Sequence, residues 1–226
     1  MKLHTSHLPL TAISLATVAL ISACGGGTSS TSSGSSTSAT TLSGQVIDGY
    51  IKGATVCLDL NGNNACDSGE PSTTSGDKGA YSLSVPAGTD ISGLHVIASV
   101  PATGATDTDD SGTATPVITG YTMLSPASMA IVVSPLTTVI SHEMKNNRRS
   151  VAEARVAART ELGLKPDYDF MKDHVKEKDA DGMNAAKLMA GFLANFSGNK
   201  APSNTALKEA LDGYKAGKAG AGNGRW

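Results

Sequence analysis

A twelve-residue stretch, residues 59–70, carries the side chains with the clearest chemical pattern in this sequence. Oxygen-bearing side chains occupy positions 1, 3, 5, 9 and 12 of the stretch: Asp59, Asn61, Asn63, Asp67 and Glu70. Ala65, at position 7, offers a backbone carbonyl. Calcium takes six to eight oxygen ligands, and a short polar loop with this spacing supplies them. The sequence therefore predicts a calcium site; the alternative is a hairpin turn that binds no ion.

Position 6 of this loop is Asn64, where the calcium-loop pattern has glycine. Asn adopts a left-handed backbone conformation more readily than most residues, so we expect Asn64 to make the same sharp turn. Only three of the five ligand side chains are charged carboxylates, and the other two are neutral amides, so the site carries few charges. That charge count predicts the weak affinity of extracellular modules, about 10⁻⁴ to 10⁻³ M, and a loop that acts as a structural clip.

The N-terminus is typical of an exported protein. Lys2 precedes an apolar run over residues 8–21, which is too short for a comfortable transmembrane helix. The run ends in Ile21-Ser22-Ala23-Cys24, which resembles the lipobox of a bacterial lipoprotein signal peptide. The resemblance implies a signal peptide over residues 1–23 and lipid on Cys24, so that the chain is anchored in a membrane. An ordinary secretory signal with an incidental cysteine is the alternative.

The residues around the lipobox bear on location and on disulfide bonding. Gly25, where a lipoprotein retained at the inner membrane often has Asp, favours the outer membrane of the cell envelope. Lipidation of Cys24 would leave Cys57 and Cys66, and an exported compartment permits a disulfide between them. Such a bridge would hold the loop against the strand before it and contribute about 2–3 kcal/mol. Two free thiols are the alternative.

Composition divides the remainder of the chain. Residues 24–41 are nearly all Gly, Ser, Thr and Ala, which predicts a flexible tether reaching about 20–25 Å. Residues 42–133 contain short apolar runs separated by Gly, Pro and Asp, a pattern typical of a small antiparallel β-sandwich. The predicted strands lie at 42–48, 54–58, 79–85, 94–100, 117–124 and 130–133.

The run over residues 46–59, continued through Gly69-Glu70-Pro71 to residues 79–83, resembles a known module. It is similar to the calcium-binding B repeats of serine–aspartate-repeat adhesins and to related carboxypeptidase-regulatory-like modules. The resemblance implies a prealbumin-like β-sandwich used as a stalk or spacer, without catalytic activity of its own. It also implies that the five side chains named above occupy the ligand positions. The sequence departs from the pattern at Gly76, where the family has Asp and Asp77 follows one place later.

Helical signals begin at residue 134. Ser134 followed by Pro135 is typical of a helix start, and Ser150 with Glu153 forms a capping-box pattern. We therefore expect an α-helical domain over residues 134–215, and a disordered Gly- and Ala-rich tail over residues 216–226. The predicted helices lie at 135–146, 151–162, 169–178, 183–196 and 205–214. The sequence thus predicts an α+β fold, with the β-sandwich first and a short α-helical domain after it.

Charge differs between the two predicted domains. Residues 43–133 carry two lysines and nine acids, whereas residues 134–226 carry fifteen basic and eleven acidic residues. The basic helical domain would either dock on the acidic β-sandwich or remain solvated. Alternatively, it would bind envelope proteins or acidic polysaccharide. A second acidic cluster, residues 107–112, is either a solvated turn or a further cation site.

Motifs for catalysis and for nucleic-acid binding are missing from the sequence. His142-Glu143 begins like a zinc-protease motif, but residue 146 is Asn instead of the second histidine. The sequence has no G-x-S-x-G elbow, and its basic residues do not alternate with aromatic ones, which argues against nucleic acid as a partner. We therefore expect a non-catalytic, lipid-anchored envelope protein. The alternative is an accessory subunit of an envelope enzyme, which a cleft with paired acids or a His–acid pair would favour.

Overall fold

A computed structural model of the chain describes residues 39–108, 112–197 and 204–221. These residues form a mixed α+β structure. The strands are β1 (Thr40–Val46), β2 (Tyr50–Lys52), β3 (Thr55–Asp59), β4 (Ser72–Thr74), β5 (Ala80–Val85), β6 (His95–Val100), β7 (Thr106–Thr108), β8 (Ala114–Pro116), β9 (Tyr121–Pro126) and β10 (Val132–Val133). The helices are α1 (Pro135–Asn147), α2 (Val151–Leu162), α3 (Ala180–Ser197) and α4 (Asn204–Ala221).

The strands are arranged in three small sheets, with the orders β10-β1-β5, β2-β7-β8 and β4-β3-β6-β9. Neighbouring strands are antiparallel except for β1 and β10, which run parallel. Asp59, the last residue of β3, is the cross-strand partner of His95 on β6. The predicted calcium loop therefore starts at the end of an inner strand of the largest sheet.

The pattern of burial follows the residue types. In β5 the side chains of Tyr81, Leu83 and Val85 are buried while the residues between them are exposed, as the alternating sequence predicts. β6 has no such alternation, and five of its six residues are buried. Its alternate residues pack in two different clusters of buried side chains, Val96, Ala98 and Val100 in one and Ile97 in another, so both of its faces are covered.

Helix α1 begins at a fully formed capping box. The Thr137 backbone N–H donates to the Ser134 hydroxyl at 3.2 Å, and the Ser134 backbone N–H donates to Thr137 Oγ1 at 2.8 Å. Thr138 Oγ1 accepts a hydrogen bond from the backbone N–H of Leu124, on β9, at 2.9 Å. The start of α1 is thus hydrogen-bonded to the largest sheet, which fixes the helix direction.

The described strands and helices belong to one compact unit and share one large hydrophobic core, beside two smaller clusters of buried side chains. Leu83 and Val96 of the sheets lie in the same cluster of buried side chains as Ile140 of α1 and Met189 of α3. The change from strands to helices at residue 134 is therefore a change of secondary structure within one core. In α3, Ala186, Met189 and Leu193 pack in this core, whereas Leu188 is 50% exposed.

Several predicted boundaries were wrong. Residues 169–178 form turns instead of a helix, because the Asp173 carboxylate accepts from the Lys176 backbone N–H and Lys178 adopts a left-handed conformation with φ 52°. Helix α4 continues through Ala221, into the predicted tail. β1 begins at Thr40, two residues inside the predicted tether. Four strands of three residues each, β2, β4, β7 and β8, were not predicted.

Some predictions lie outside the described residues. These are the signal peptide, the lipidation of Cys24, the tether before residue 39 and, in the second acidic cluster, Asp109 and Asp110. The one carboxylate of that cluster within the described residues, Asp107, belongs to β7. In the described part of the chain, no helix is long and apolar enough to span a membrane.

Candidate metal centre

The carboxylate of Asp59 organises the start of the predicted loop. Its Oδ1 accepts hydrogen bonds from the backbone N–H groups of Gly62 at 2.8 Å and Asn63 at 3.1 Å, and its Oδ2 accepts from that of Asn64 at 3.1 Å. The Asp59 side chain is 1% exposed. A buried carboxylate requires such donors, so the chain must turn tightly around it.

The two asparagines continue this turn. Asn61 Oδ1 accepts from the Asn63 backbone N–H at 3.0 Å, and Asn63 Oδ1 accepts from the Ala65 backbone N–H at 2.8 Å. Between them Asn64 has φ 62°, which confirms the left-handed turn expected at position 6. The loop therefore adopts the backbone conformation that the calcium-loop pattern requires at this position.

The second half of the loop folds back onto the first. The side-chain amides of Asn61 and Asn63 each donate to Asp67 Oδ2 at 2.7 Å. Glu70 accepts from the backbone N–H of Leu60 at 2.8 Å and from that of Asp67 at 3.1 Å, one bond to each carboxylate oxygen. Side chains from loop positions 3, 5 and 9 thus meet at one point, while position 12 closes the loop.

The chemistry of this donor set fits calcium better than a transition metal. Within the described residues, no group of three or more His, Cys, Asp or Glu side chains is placed to hold a metal ion. Calcium, in contrast, also accepts amide and backbone oxygens, which Asn61, Asn63 and Ala65 carry. The Asn61 and Asn63 oxygens each accept one backbone hydrogen bond from the loop, and a carbonyl oxygen has two lone pairs.

The predicted disulfide between Cys57 and Cys66 is confirmed, with the two Cα atoms 5.6 Å apart. Cys57 lies in β3 and is fully buried, next to Ile97 of β6 and Leu124 of β9. Cys66 is half-buried at loop position 8 and packs against the same cluster. The bridge therefore fastens the middle of the loop to the largest sheet.

Sequence reasoning missed a lysine that contacts the loop. Lys145, near the end of α1, places its ammonium 3.6 Å from Asp59 Oδ2 and 3.4 Å from the Gly62 carbonyl oxygen, and it also donates to Asn64 Oδ1. Burial lowers the pKa of Lys145, while Asp59 acts in the opposite direction. His95, across from Asp59, is buried, and its pKa is lowered to about 4 by burial and by Lys145.

Two clefts outside the loop also collect charged side chains. One, of about 370 Å³, lies between α1, α2 and α4 and is lined by His142, Glu143 and Glu161 among others. Glu143 is buried and pairs with Arg149 at 3.1 Å. Burial and the neighbouring Glu143 raise the pKa of Glu161, while Lys215 lies 3.2 Å from its carboxylate. His142 and two acids thus line one cleft, where the His142 ring is hydrogen-bonded to Asn146 and Glu143 is paired with Arg149.

The other cleft, of about 300 Å³, is lined by Asp48, Asp107, Tyr121 and Lys187 together with apolar residues. Three of these residues come from separate strands or turns and the fourth from α3, so no local sequence pattern brings them together. The raised pKa of buried Asp48, about 7, distinguishes it from an ordinary surface acid.

Comparisons of the chain with protein families, with curated proteins and with solved structures found no match. Its function is therefore inferred from the loop and the two clefts themselves.

Proposed function

We propose that this protein is a non-catalytic scaffold module of the bacterial cell envelope, stabilised by calcium and anchored by lipid at Cys24. In this proposal the strands correspond to a prealbumin-like β-sandwich of the adhesin-repeat kind. The Gly- and Ser-rich tether holds the unit clear of the outer membrane, facing the periplasm or the cell surface. Envelope proteins or acidic polysaccharide are the partners that its basic helices would meet.

The observation that carries the proposal is the internal organisation of loop 59–70. Asp59 gathers three backbone N–H groups, Asn64 makes the left-handed turn, and the amides of Asn61 and Asn63 converge on Asp67. These contacts bring together the side chains of loop positions 3, 5 and 9, which the proposal assigns as ligands. The residues that would hold the ion are Asp59, Asn61, Asn63, Asp67 and Glu70, with the Ala65 carbonyl.

Calcium bound here would act as a structural clip, by linking the oxygen-bearing side chains of loop 59–70 through one ion. Two contacts within the chain fix the position of the loop. The Cys57–Cys66 bridge ties it to the largest sheet, and Lys145 ties its first turn to α1. A stabilised loop at the end of β3 would in turn stiffen the large core that strands and helices share.

Two measurements test the proposal. At 10 mM calcium, a dissociation constant of 0.1–1 mM corresponds to about 1–3 kcal/mol of stabilisation, so the melting temperature should rise by several degrees over that in chelator. Equal melting temperatures in calcium and in chelator would show that calcium does not stabilise the fold.

The lipid anchor is tested separately. Cys24→Ala should move the protein from the membrane fraction to the soluble fraction of cells. If this variant stayed in the membrane fraction, lipid at Cys24 would not be what anchors the protein.

A second candidate function is that of an accessory or regulatory subunit of an envelope enzyme, with the helices as the partner-binding part. The cleft between α1, α2 and α4 supports it, because His142, Glu143 and Glu161 line one concave surface. A photo-crosslinking residue at position 205, on the rim of this cleft, should then give one defined adduct in intact cells. The same residue at position 84, an exposed site on β5, is the control. Equal labelling from both sites would exclude a partner specific to the cleft.

A further inference from the structure

The cleft at Asp48 is separate from the calcium loop and shares no residue with it. Asp48 lies in the turn between β1 and β2, Asp107 on β7 and Tyr121 at the start of β9, and Lys187 comes from α3. The Asp107 carboxylate lies directly over the backbone of Gly49, where a Cβ atom would overlap it. Asp48 and Asp107 both line the cleft, and Asp107 is close enough for its charge to raise the pKa of Asp48.

Asp48 is the most unusual group in this cleft. It is 8% exposed, and its Oδ2 accepts a hydrogen bond from the Tyr121 hydroxyl at 2.8 Å. Its Oδ1 is buried and has no hydrogen-bond partner among the residues that the structure describes. Leaving a buried carboxyl oxygen unpaired is costly, so such an atom lining a cleft indicates that a ligand supplies the missing donor.

The surroundings of Asp48 define the charge of that ligand. The pKa of Asp48 is raised to about 7, chiefly by burial; the Tyr121 bond lowers it, Asp107 raises it and Lys187 lowers it. His174 faces the Asp48 backbone. Two neighbouring carboxyl groups repel an anion and attract a cation. A bound cation would replace the proton on Asp48.

The walls of the cleft define the rest of the ligand. Beside the two carboxyl groups lie the side chains of Val117, Ile118, Ala190 and Ala194, and Ile118 is 86% exposed. Apolar walls with one charged end suit an organic cation better than a hydrated ion. No third carboxylate or histidine in the described chain joins Asp48 and Asp107 to complete a metal site.

We propose that this cleft binds a primary ammonium group carried on a short apolar stem, with Asp48 Oδ1 as the acceptor, Asp107 as the second negative charge and the apolar walls around the stem. An ammonium offers three donors and a full positive charge, which matches one unpaired acceptor beside a second carboxylate. The ammonium comes either from a free amine or from a lysine side chain of a peptide.

The test is a titration of the purified full chain with n-butylammonium chloride at pH 8, followed by NMR at the backbone amides of Gly49, Thr119 and Gly191. Sodium chloride matches the ionic strength, and 1-butanol is the neutral control. Saturable shifts with the amine and none with the alcohol are expected. Equal shifts with both, no shifts with the amine, or shifts produced by calcium and not by the amine would each overturn the proposal.

A second titration, with Nα-acetyl-lysine methylamide, identifies the source of the ammonium. If Nα-acetyl-lysine methylamide binds more strongly than n-butylammonium, the natural ligand is a lysine side chain of a peptide. If it binds more weakly, the natural ligand is a free amine. Binding of the amine should also strengthen as pH rises from 6 to 8, because Asp48 must lose its proton to pair with the ammonium. An affinity that does not change over this range would contradict the role of Asp48.

Two variants change the affinity in opposite directions. Asp48→Asn removes the charge at the acceptor and should weaken amine binding about tenfold or more. Lys187→Gln removes a competing positive charge from an exposed residue of α3 and should strengthen binding roughly three- to tenfold. The second variant keeps the proposal testable should Asp48→Asn fail to fold. Weaker binding by Lys187→Gln would overturn the assignment of a cationic ligand.

Discussion

The ammonium of Lys145 lies 3.6 Å from the carboxylate of Asp59, and this ion pair joins helix α1 to the first residue of the candidate calcium loop. Asp59 is almost completely buried, whereas the Lys145 side chain is 18% exposed. The pair connects the acidic strand-forming part of the chain to the basic helical part at one specific contact. It also places a positive charge beside an oxygen that calcium would use.

Replacing Lys145 by Met should therefore have two opposite effects. Without calcium the protein should lose about 1–3 kcal/mol of stability, because the buried Asp59 carboxylate loses a charged partner but keeps three backbone donors. Calcium should bind several-fold more tightly, because a like charge has been removed from the site. Urea denaturation in chelator and calcium titration measure the two effects. Lys176→Met, at an exposed position, is the control and should change neither quantity.

The Cys57–Cys66 bridge should contribute measurably to stability. The two residues are nine apart in sequence, and closing a ring of this size is worth about 2–3 kcal/mol. Replacing both cysteines by Ala should lower the free energy of unfolding by at least this amount, since Cys57 is also fully buried. A reductant should then destabilise the wild-type protein and leave the double variant unchanged. If the reductant had no effect on the wild type, the bridge would not stabilise the fold.

Asp48 should make stability depend on pH. Burial raises its pKa to about 7, so between pH 4 and pH 7 the folded protein retains a proton that the unfolded chain releases. Stability should consequently fall as pH rises through this window, by roughly 4 kcal/mol at most. Asp48→Asn should remove this dependence and be more stable than wild type at pH 8. Urea denaturation at pH 5, 6, 7 and 8 tests this, with the exposed Asp90→Asn as control. Parallel curves for wild type and Asp48→Asn would contradict it.

The start of α1 should depend on the hydroxyl of Thr138. Its Oγ1 accepts from the Leu124 backbone N–H and donates to the Ser134 carbonyl at 2.8 Å. Thr138→Val preserves the shape but leaves the buried N–H of Leu124 unpaired, so we expect a loss of about 1–3 kcal/mol in urea denaturation. Thr138→Ser retains the hydroxyl and is the matched control. A loss from Thr138→Ser without a loss from Thr138→Val would assign the role of Thr138 to its methyl group.

Local signals in the sequence were sufficient for parts of this structure. The capping residues Ser134 and Ser150 predicted where α1 and α2 begin, and Gly163 predicted where α2 ends. The disulfide and the left-handed conformation of Asn64 also followed from the sequence, because each depends on residues close together in the chain. These features are determined by backbone and side-chain chemistry within a few residues.

Other features depend on contacts between distant parts of the chain. Lys145 meets Asp59, and Tyr121 meets Asp48, across 86 and 73 residues, which no periodic pattern encodes. The three-residue strands β2, β4, β7 and β8 are too short to show an alternation of their own. Residues 169–178 have a helical composition, yet Asp173 uses one carboxylate oxygen to accept from Lys176 and the other to accept from the Tyr50 hydroxyl at 2.7 Å. Here tertiary contacts override local preference.

A calorimetric titration of calcium into the purified full chain, beside its Asp67→Asn and Asp90→Asn variants, distinguishes a calcium-binding loop from a turn that binds no ion. Asp67 is an exposed loop residue on which two asparagine amides converge, so its replacement should weaken binding without unfolding the protein. We predict one saturable site with a dissociation constant of about 10⁻⁴ to 10⁻³ M for the wild type and for Asp90→Asn, and at least tenfold weaker binding by Asp67→Asn. Identical heats from all three proteins would show that loop 59–70 does not bind calcium.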